Sequence, residues 1–222
     1  LFGLPAQKDE RGSGAYESQG IITRAVAAIK ENNIENVLAL RGDIPEDPDF
    51  EFPNPLQYGH AADLVAEVAA FGGFSVGGAC YPEGHVTCES KIKDIKYLKE
   101  KVDKGIDFLI TQLFYDNEQF YAFMEQIDLA GVNVPVSAGI LPMLNKNQIM
   151  RITKLSGCLI PPKFQRILDR YENNPAALKE AGEAYAIEQI IDLMAWGVRG
   201  IHLYTMNKAD TAWRIIGNIE NI

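Results

Sequence analysis

The side chains best placed to do chemistry in this sequence stand directly after short apolar runs. Arg41-Gly42-Asp43 follows Val37 to Leu40, and Tyr81-Pro82-Glu83-Gly84-His85 follows Phe74 to Cys80. Gln112 interrupts the run Phe108 to Phe114 near its end, with Asp116 behind it, and Thr205-Met206-Asn207-Lys208 follows Gly200 to Tyr204. A guanidinium and a carboxylate flanking a glycine offer both charges to a ligand that approaches the backbone closely. The same three residues read equally as a salt-bridged strand end. Tyr81 to His85 is an aromatic, proline-fixed loop with one imidazole, which suits a planar cofactor, although His85 also reads as a surface histidine. Asp94 and Lys101 lie two turns apart on one face of an expected helix, where they either straddle a polar ligand group or form a solvated face. The amide of Gln112 sits among apolar neighbours and must find a partner, for which a ligand is a natural choice. Gly139-Ile140-Leu141-Pro142 supplies backbone groups and an apolar wall, hence shape more than chemistry.

Other chemistries are disfavoured. Cys80, His85 and Cys88 lack the third or fourth ligand and the second local pair that a zinc site needs, so no metal is expected. There is no G-x-S-x-G turn, no cysteine beside a suitable histidine and no trusted carboxylate pair, which argues against hydrolysis. The sequence has 21 basic against 30 acidic side chains and a net charge of -9, which disfavours nucleic acid and anionic membranes as partners. No apolar run approaches the roughly 18 residues of a membrane span, and no signal-peptide order opens the chain. The three cysteines, an odd number, fit free thiols in a reducing compartment, so a cytoplasmic protein is expected.

The elements that must position these groups follow from periodicity. Strands are expected over Asn36 to Leu40, Phe74 to Cys80, Phe108 to Phe114, Val134 to Ile140 and Gly200 to Tyr204, five buried runs rich in branched residues. Helical spacing marks Gln19 to Asn33, Leu56 to Phe71, Ile92 to Lys104, Glu118 to Ala130, Lys146 to Ser156, Ala176 to Trp196 and Asp210 to Asn218. Strands alternating with helices imply parallel pairing through right-handed crossovers. No Gly-rich phosphate turn follows a strand, and the polar residues spread over several strand ends, which favours a barrel over an open nucleotide-binding sheet. The expected fold is α/β, of the (β/α)8 TIM-barrel type, with about five of eight βα units recognisable. Residues 1–18 are expected to be an irregular segment and 19–222 a partial barrel domain. An open sheet edge is then expected, as a surface for assembly or aggregation.

The ordered segments ENVLALRGDIP, FSVGGACYPEGH, KVDKGIDFLITQLFYD, VSAGILPMLNKNQI and GIHLYTMNKAD together resemble the methylenetetrahydrofolate reductase family, from about Ile21 to the C-terminus. The resemblance implies a flavoprotein with noncovalent FAD, reduced by NADH or NADPH, which passes hydride to methylenetetrahydrofolate and yields methyltetrahydrofolate for methionine biosynthesis. It implies that Arg41, Gly42 and Asp43 lie near the flavin, with Asp43 tuning it and meeting the folate. It further implies cofactor contacts at His60, Ala79, Tyr81, His85, Asp94 and Lys101. Gln112 is implied as a catalytic amide shared by folate and nicotinamide, and Lys208 as a basic group near the folate.

The family's first-strand motif, with its proton-donating glutamate, is absent, as are the strands that follow it. Phe50-Glu51-Phe52-Pro53 is similar but falls after the Arg41-Gly42-Asp43 strand, so Glu51 is not expected to be catalytic. The three strands absent from the motifs are the three absent from the strand count. The expectation is therefore a chain lacking the family's N-terminal part, active as a homo-oligomer or with a partner subunit. The alternative is a noncatalytic subunit of the same family.

Overall fold

The computed structural model describes residues 18–41 and 58–222, so Gly42, Asp43 and Glu51 lie outside the described residues. The chain forms two compact units, divided between Ala79 and Cys80, after Lys99, and between Phe108 and Leu109.

The first unit holds α1 (Ser18–Glu31), β1 (Asn36–Leu38), α2 (Ala61–Phe71) and nearly all of β2 (Ser75–Cys80). β1 and β2 run parallel, with Val37 opposite Val76 and Leu38 opposite Gly77. Asp107 fixes β2 from its other side, because its carboxylate accepts from Val76 N at 2.7 Å and its own N donates to Val76 O at 2.8 Å. α2 starts at His60, whose backbone N donates to Asp63 Oδ2 at 3.0 Å, and it buries Val65 and Val68. A carboxylate three residues into a helix both satisfies an orphan donor and complements the helix dipole.

α3 (Lys91–Asp103) begins in the second unit, and its last residues, from Glu100, belong to the first. The second unit continues with β3 (Phe108–Thr111), α4 (Asn117–Leu129), β4 (Val136–Ile140), α5 (Lys146–Ser156), α6 (Pro162–Tyr171), α7 (Pro175–Trp196), β5 (Gly200–Leu203) and α8 (Ala209–Ile219). β3 pairs parallel with β4, Leu109 opposite Val136, and β4 pairs parallel with β5, Ile140 opposite Leu203. The strands thus follow one another in chain order within each unit, joined by helical crossovers. These are five of the βα units of a (β/α)8 barrel type of fold. Phe164 and Leu168 of α6 are wholly buried against Tyr115, Met143 and Ile149, with the rings of Tyr115 and Phe164 stacked at 4.2 Å. Each such side chain contributes about 1.5–3 kcal/mol of burial free energy.

The sequence expectations hold for every strand and for seven of the eight helices, and three differences have physical causes. β3 ends at Thr111 and not at Phe114, because the next carbonyls leave the ladder for α7. Gln189 Nε2 donates to Phe114 O at 3.0 Å and Tyr185 OH to Tyr115 O at 2.6 Å. α6 is an additional helix. Its apolar residues Phe164, Ile167, Leu168 and Tyr171 recur at helical spacing, but Pro161 and Pro162 read as a break. In the fold Pro162 takes the first helical position, where a missing N–H costs nothing. β5 is not buried as expected: each of its four residues is half-exposed, since among the described residues only β4 pairs with it.

Candidate active site at the strand C-termini

The loop after β2 carries two of the expected groups of the second unit, Tyr81 and His85. Tyr81 and His85 meet edge to face, with ring centroids 4.6 Å apart. The backbone N of His85 donates to Asp94 Oδ2 at 3.2 Å, so Asp94 anchors the end of the loop from the first turn of α3. Thr87 N donates to His85 Nδ1 at 3.2 Å, which makes Nδ1 an acceptor and assigns the proton of the neutral ring to Nε2. An N–H donor on the far side of the ring is thereby kept for a ligand.

Gln112 is held at two points. Its backbone N donates to Cys80 O at 2.7 Å, and its Oε1 turns back to accept from Leu113 N at 3.0 Å. The preceding residue is buried and pinned twice: Thr111 Oγ1 accepts from Gly139 N at 2.8 Å, and Thr111 O accepts from Tyr204 OH at 2.9 Å. Gly139 is needed at this crossing, because a Cβ there would lie 2.3 Å from Thr111 O and 2.8 Å from the Tyr204 ring. Burial pushes the Tyr204 hydroxyl up to about 12, so it stays a donor across the neutral range. With its oxygen engaged, the Gln112 carboxamide has its two N–H groups to offer, beside Tyr81 and Glu83. A rigid amide with free donors is suited to hold a heteroaromatic edge.

The turn after β5 is built differently. Met206 and Asn207 adopt left-handed φ values of 49° and 60°, closed by Lys208 N donating to Thr205 O at 2.9 Å. Two consecutive non-glycine residues in this region cost about 1 kcal/mol each or more. Lys208 is exposed at the N-cap position of α8, where its side chain makes no capping hydrogen bond. β5 itself places His202 edge to face with Tyr204 at 4.6 Å, and burial lowers the His202 pKa from 6.5.

The remaining expected cofactor residues belong to the first unit. Lys101 Nζ donates to Ala79 O at the end of β2, which ties two of the expected cofactor residues to each other. Arg41 is exposed, and its Nη1 donates to Gly59 O at 3.1 Å. His60 serves as the residue that opens α2. Asp116, grouped by sequence with Gln112, caps α4 by accepting from Glu118 N at 3.1 Å. Sequence reasoning gave no role to Tyr204, Thr111 or His202, and read Glu83 only as part of its loop. Tyr204 could have been found as an aromatic with a polar tip directly after a strand end, the position that Tyr81 holds after β2.

Among the described residues no three His, Cys, Asp or Glu side chains gather at metal-binding distance, and no helix is long and apolar enough to cross a membrane. Parallel βα units with polar groups after several strand ends define an α/β protein of barrel type whose chemistry is built on those ends. The family model of methylenetetrahydrofolate reductase matches residues 14–220, and the chain belongs to that family. It is 35% identical over 209 residues to "Methylenetetrahydrofolate reductase (NADH) 1" of Zea mays, covering 89% of this chain and 35% of the relative. It is 33% identical over 185 residues to the 5,10-methylenetetrahydrofolate reductase of Pectobacterium carotovorum subsp. carotovorum, covering 83% of this chain and 60% of the relative. The chain thus spans about a third of the plant protein and three-fifths of the bacterial one. A solved structure from Clostridium thermocellum, of a protein that binds two copies of 5-methyl-5,6,7,8-tetrahydrofolic acid, matches 77% of this chain and 62% of its own. The TM-score is 0.56 at 16% identity, a likeness of fold.

Proposed function

We propose that this chain carries the flavin and folate site of a cytoplasmic enzyme that reduces methylenetetrahydrofolate to methyltetrahydrofolate at the expense of NADH or NADPH. Bound FAD would supply a two-electron relay between the nicotinamide and the folate one-carbon unit. The residues present fit that cofactor. A flavin edge is rich in acceptors, and His85 Nε2–H and the Gln112 carboxamide both offer donors that no described residue takes. Tyr81 and His85 would flank the ring system. Ala79, Asp94, Lys101, Arg41 and Gly42 are further cofactor contacts by family resemblance, as is His60. Asp43 and Gln112 are the groups proposed to act at the reacting centre, and Lys208 offers a cation to the carboxylate tail of the folate.

The observation that carries this reading is the geometry of Gln112, fixed at its backbone and its oxygen and turned towards the Tyr81 loop. Converting a methylene bridge to a methyl group consumes a hydride and a proton, so the folate must be held while both arrive. In an anaerobic assay of NAD(P)H with methylenetetrahydrofolate and added FAD, Gln112→Ala is expected to lower kcat/KM about a hundredfold. Unchanged turnover in that variant would remove Gln112 from the site.

A second reading, a noncatalytic subunit that needs a partner chain, is favoured by β5. Its outer edge is open among the described residues, and a parallel strand is normally covered on both sides. The strand that covers it would come from elsewhere in the same polypeptide, from a second copy or from a partner subunit. A monodisperse monomer by light scattering that turns over folate unaided would exclude the partner requirement.

A further inference from the structure

We infer that Glu83 is a positioning residue, a clamp that fastens the Tyr81–His85 loop to the C-terminal end of α5 and so sets the loop for its cofactor. The inference rests on the flavin reading above for its functional consequence, but the clamp stands on geometry alone. Glu83 reaches a segment 76 residues further along the chain. Its Oε2 accepts from Leu159 N at 2.9 Å, and its Oε1 from the Cys158 thiol at 3.4 Å. Both oxygens are therefore spent on one short stretch. That stretch is itself well determined, because α5 ends at Gly157 in the left-handed region, φ 72°, with its N donating to Thr153 O at 2.9 Å.

A second contact joins the same two segments. A Cβ at Gly157 would fall 2.4 Å from Val86 Cγ1, so the turn is packed directly on the residue after His85. Between the segments lies a crevice lined by Tyr81, Glu83, Gln112, Leu113, Ser156 and Cys158, with room for about 10 Å³, the space of a single water. It is a narrow seam. Glu83 ties the loop to the α5 turn, and Gln112 lines the same seam. Asp94 holds the loop only at its far end, through His85 N. With Glu83 removed, Leu159 N loses its acceptor and the Cys158 thiol keeps only the longer contact to Leu159 O at 3.5 Å, so the loop is no longer fastened to the end of α5.

The test compares the whole wild-type chain with Glu83→Ala, Glu83→Gln and, as a charge-matched control, Glu188→Ala, which breaks an exposed pair with Lys163 on the helices. Two readouts are taken: amide hydrogen exchange at Leu159 and Tyr81 to Val86, and FAD affinity by fluorescence quenching. Glu83→Ala is expected to expose the Leu159 amide and weaken FAD binding about tenfold, the size of a lost charged hydrogen bond. Glu83→Gln keeps an acceptor for Leu159 N and is expected to retain both properties within about threefold, a rescue that general destabilisation does not give. Retained protection at Leu159 in Glu83→Ala overturns the clamp. Lost protection with unchanged FAD affinity overturns its role towards the cofactor, as does an equal weakening in Glu188→Ala. A wild-type chain that does not bind FAD overturns the flavin reading and that role with it, while exchange at Leu159 still decides the clamp. Should Glu83→Ala fail to fold, Gly157→Ala forces the same seam from the α5 side and is expected to give the same two losses.

Discussion

The loop after β2 and the turn after β5 occupy equivalent places in their βα units, yet they are prepared in opposite ways. The first is fixed from outside: Glu83 reaches Leu159 and Cys158, Asp94 takes His85 N, and Thr87 orients the imidazole. The second is fixed from within, by two left-handed residues and a single closing hydrogen bond, and Met206, Asn207 and Lys208 remain exposed. Under the proposed function the difference would match two demands. A cofactor that stays bound is best met by a surface whose shape is settled beforehand, whereas a substrate that enters and leaves needs groups free to close on it.

The sharpest way to separate the two regions is to loosen the second without touching the first. Glu183 is 4% exposed on α7, where it accepts from Thr211 Oγ1 at 3.0 Å and pairs with Arg214 at 3.1 Å, both on α8 directly behind the turn. Glu183→Ala is expected to cost about 2 kcal/mol in urea denaturation and to raise KM for folate while FAD affinity holds. The converse is His85→Ala, which removes the Nε2–H donor and should weaken FAD about tenfold in a titration, with the folding midpoint little changed. Smaller still, Lys208→Ala should raise KM for folate only a few-fold, as for one solvent-exposed charge, and leave FAD binding intact. A shared loss of both ligands in any of these variants would erase the distinction between the regions.

The smallest effect concerns pH. His202 on β5 has its pKa lowered from 6.5 by burial, so the unfolded chain binds its proton more readily than the folded one. Its contribution to stability is present above 6.5 and is lost as pH falls from there through the lower folded value. The urea midpoint is expected to decline slightly over that interval, and His202→Gln should flatten the decline.

Much of this molecule was legible because its signals are local. The bounds of α5 coincide with the residues that periodicity marks, since Asn145 and Gly157 punctuate it at both ends. The groups after the strand ends were found for the same reason, by interruption of apolar runs. What escaped depends on distant partners. β3 stops early because Gln189 and Tyr185 lie on a helix more than 70 residues away. Glu83 reads as one more polar loop residue until Leu159 is seen beside it. Tyr204 has no evident role until it crosses Gly139 to reach Thr111. Asp116 shows the opposite error, a polar residue near a candidate site whose work is to cap a helix. α6 was concealed by a proline pair that breaks a helix in its middle but opens one at its start.

The most direct measurement is the visible absorption spectrum of the purified whole chain, followed by titration with FAD if it is colourless. The account predicts a flavin spectrum, or saturable binding that approaches one FAD per chain and weakens in His85→Ala. A colourless protein that does not take up FAD at any concentration would contradict it, and would leave the Tyr81–His85 loop without the ligand for which its donors are arranged.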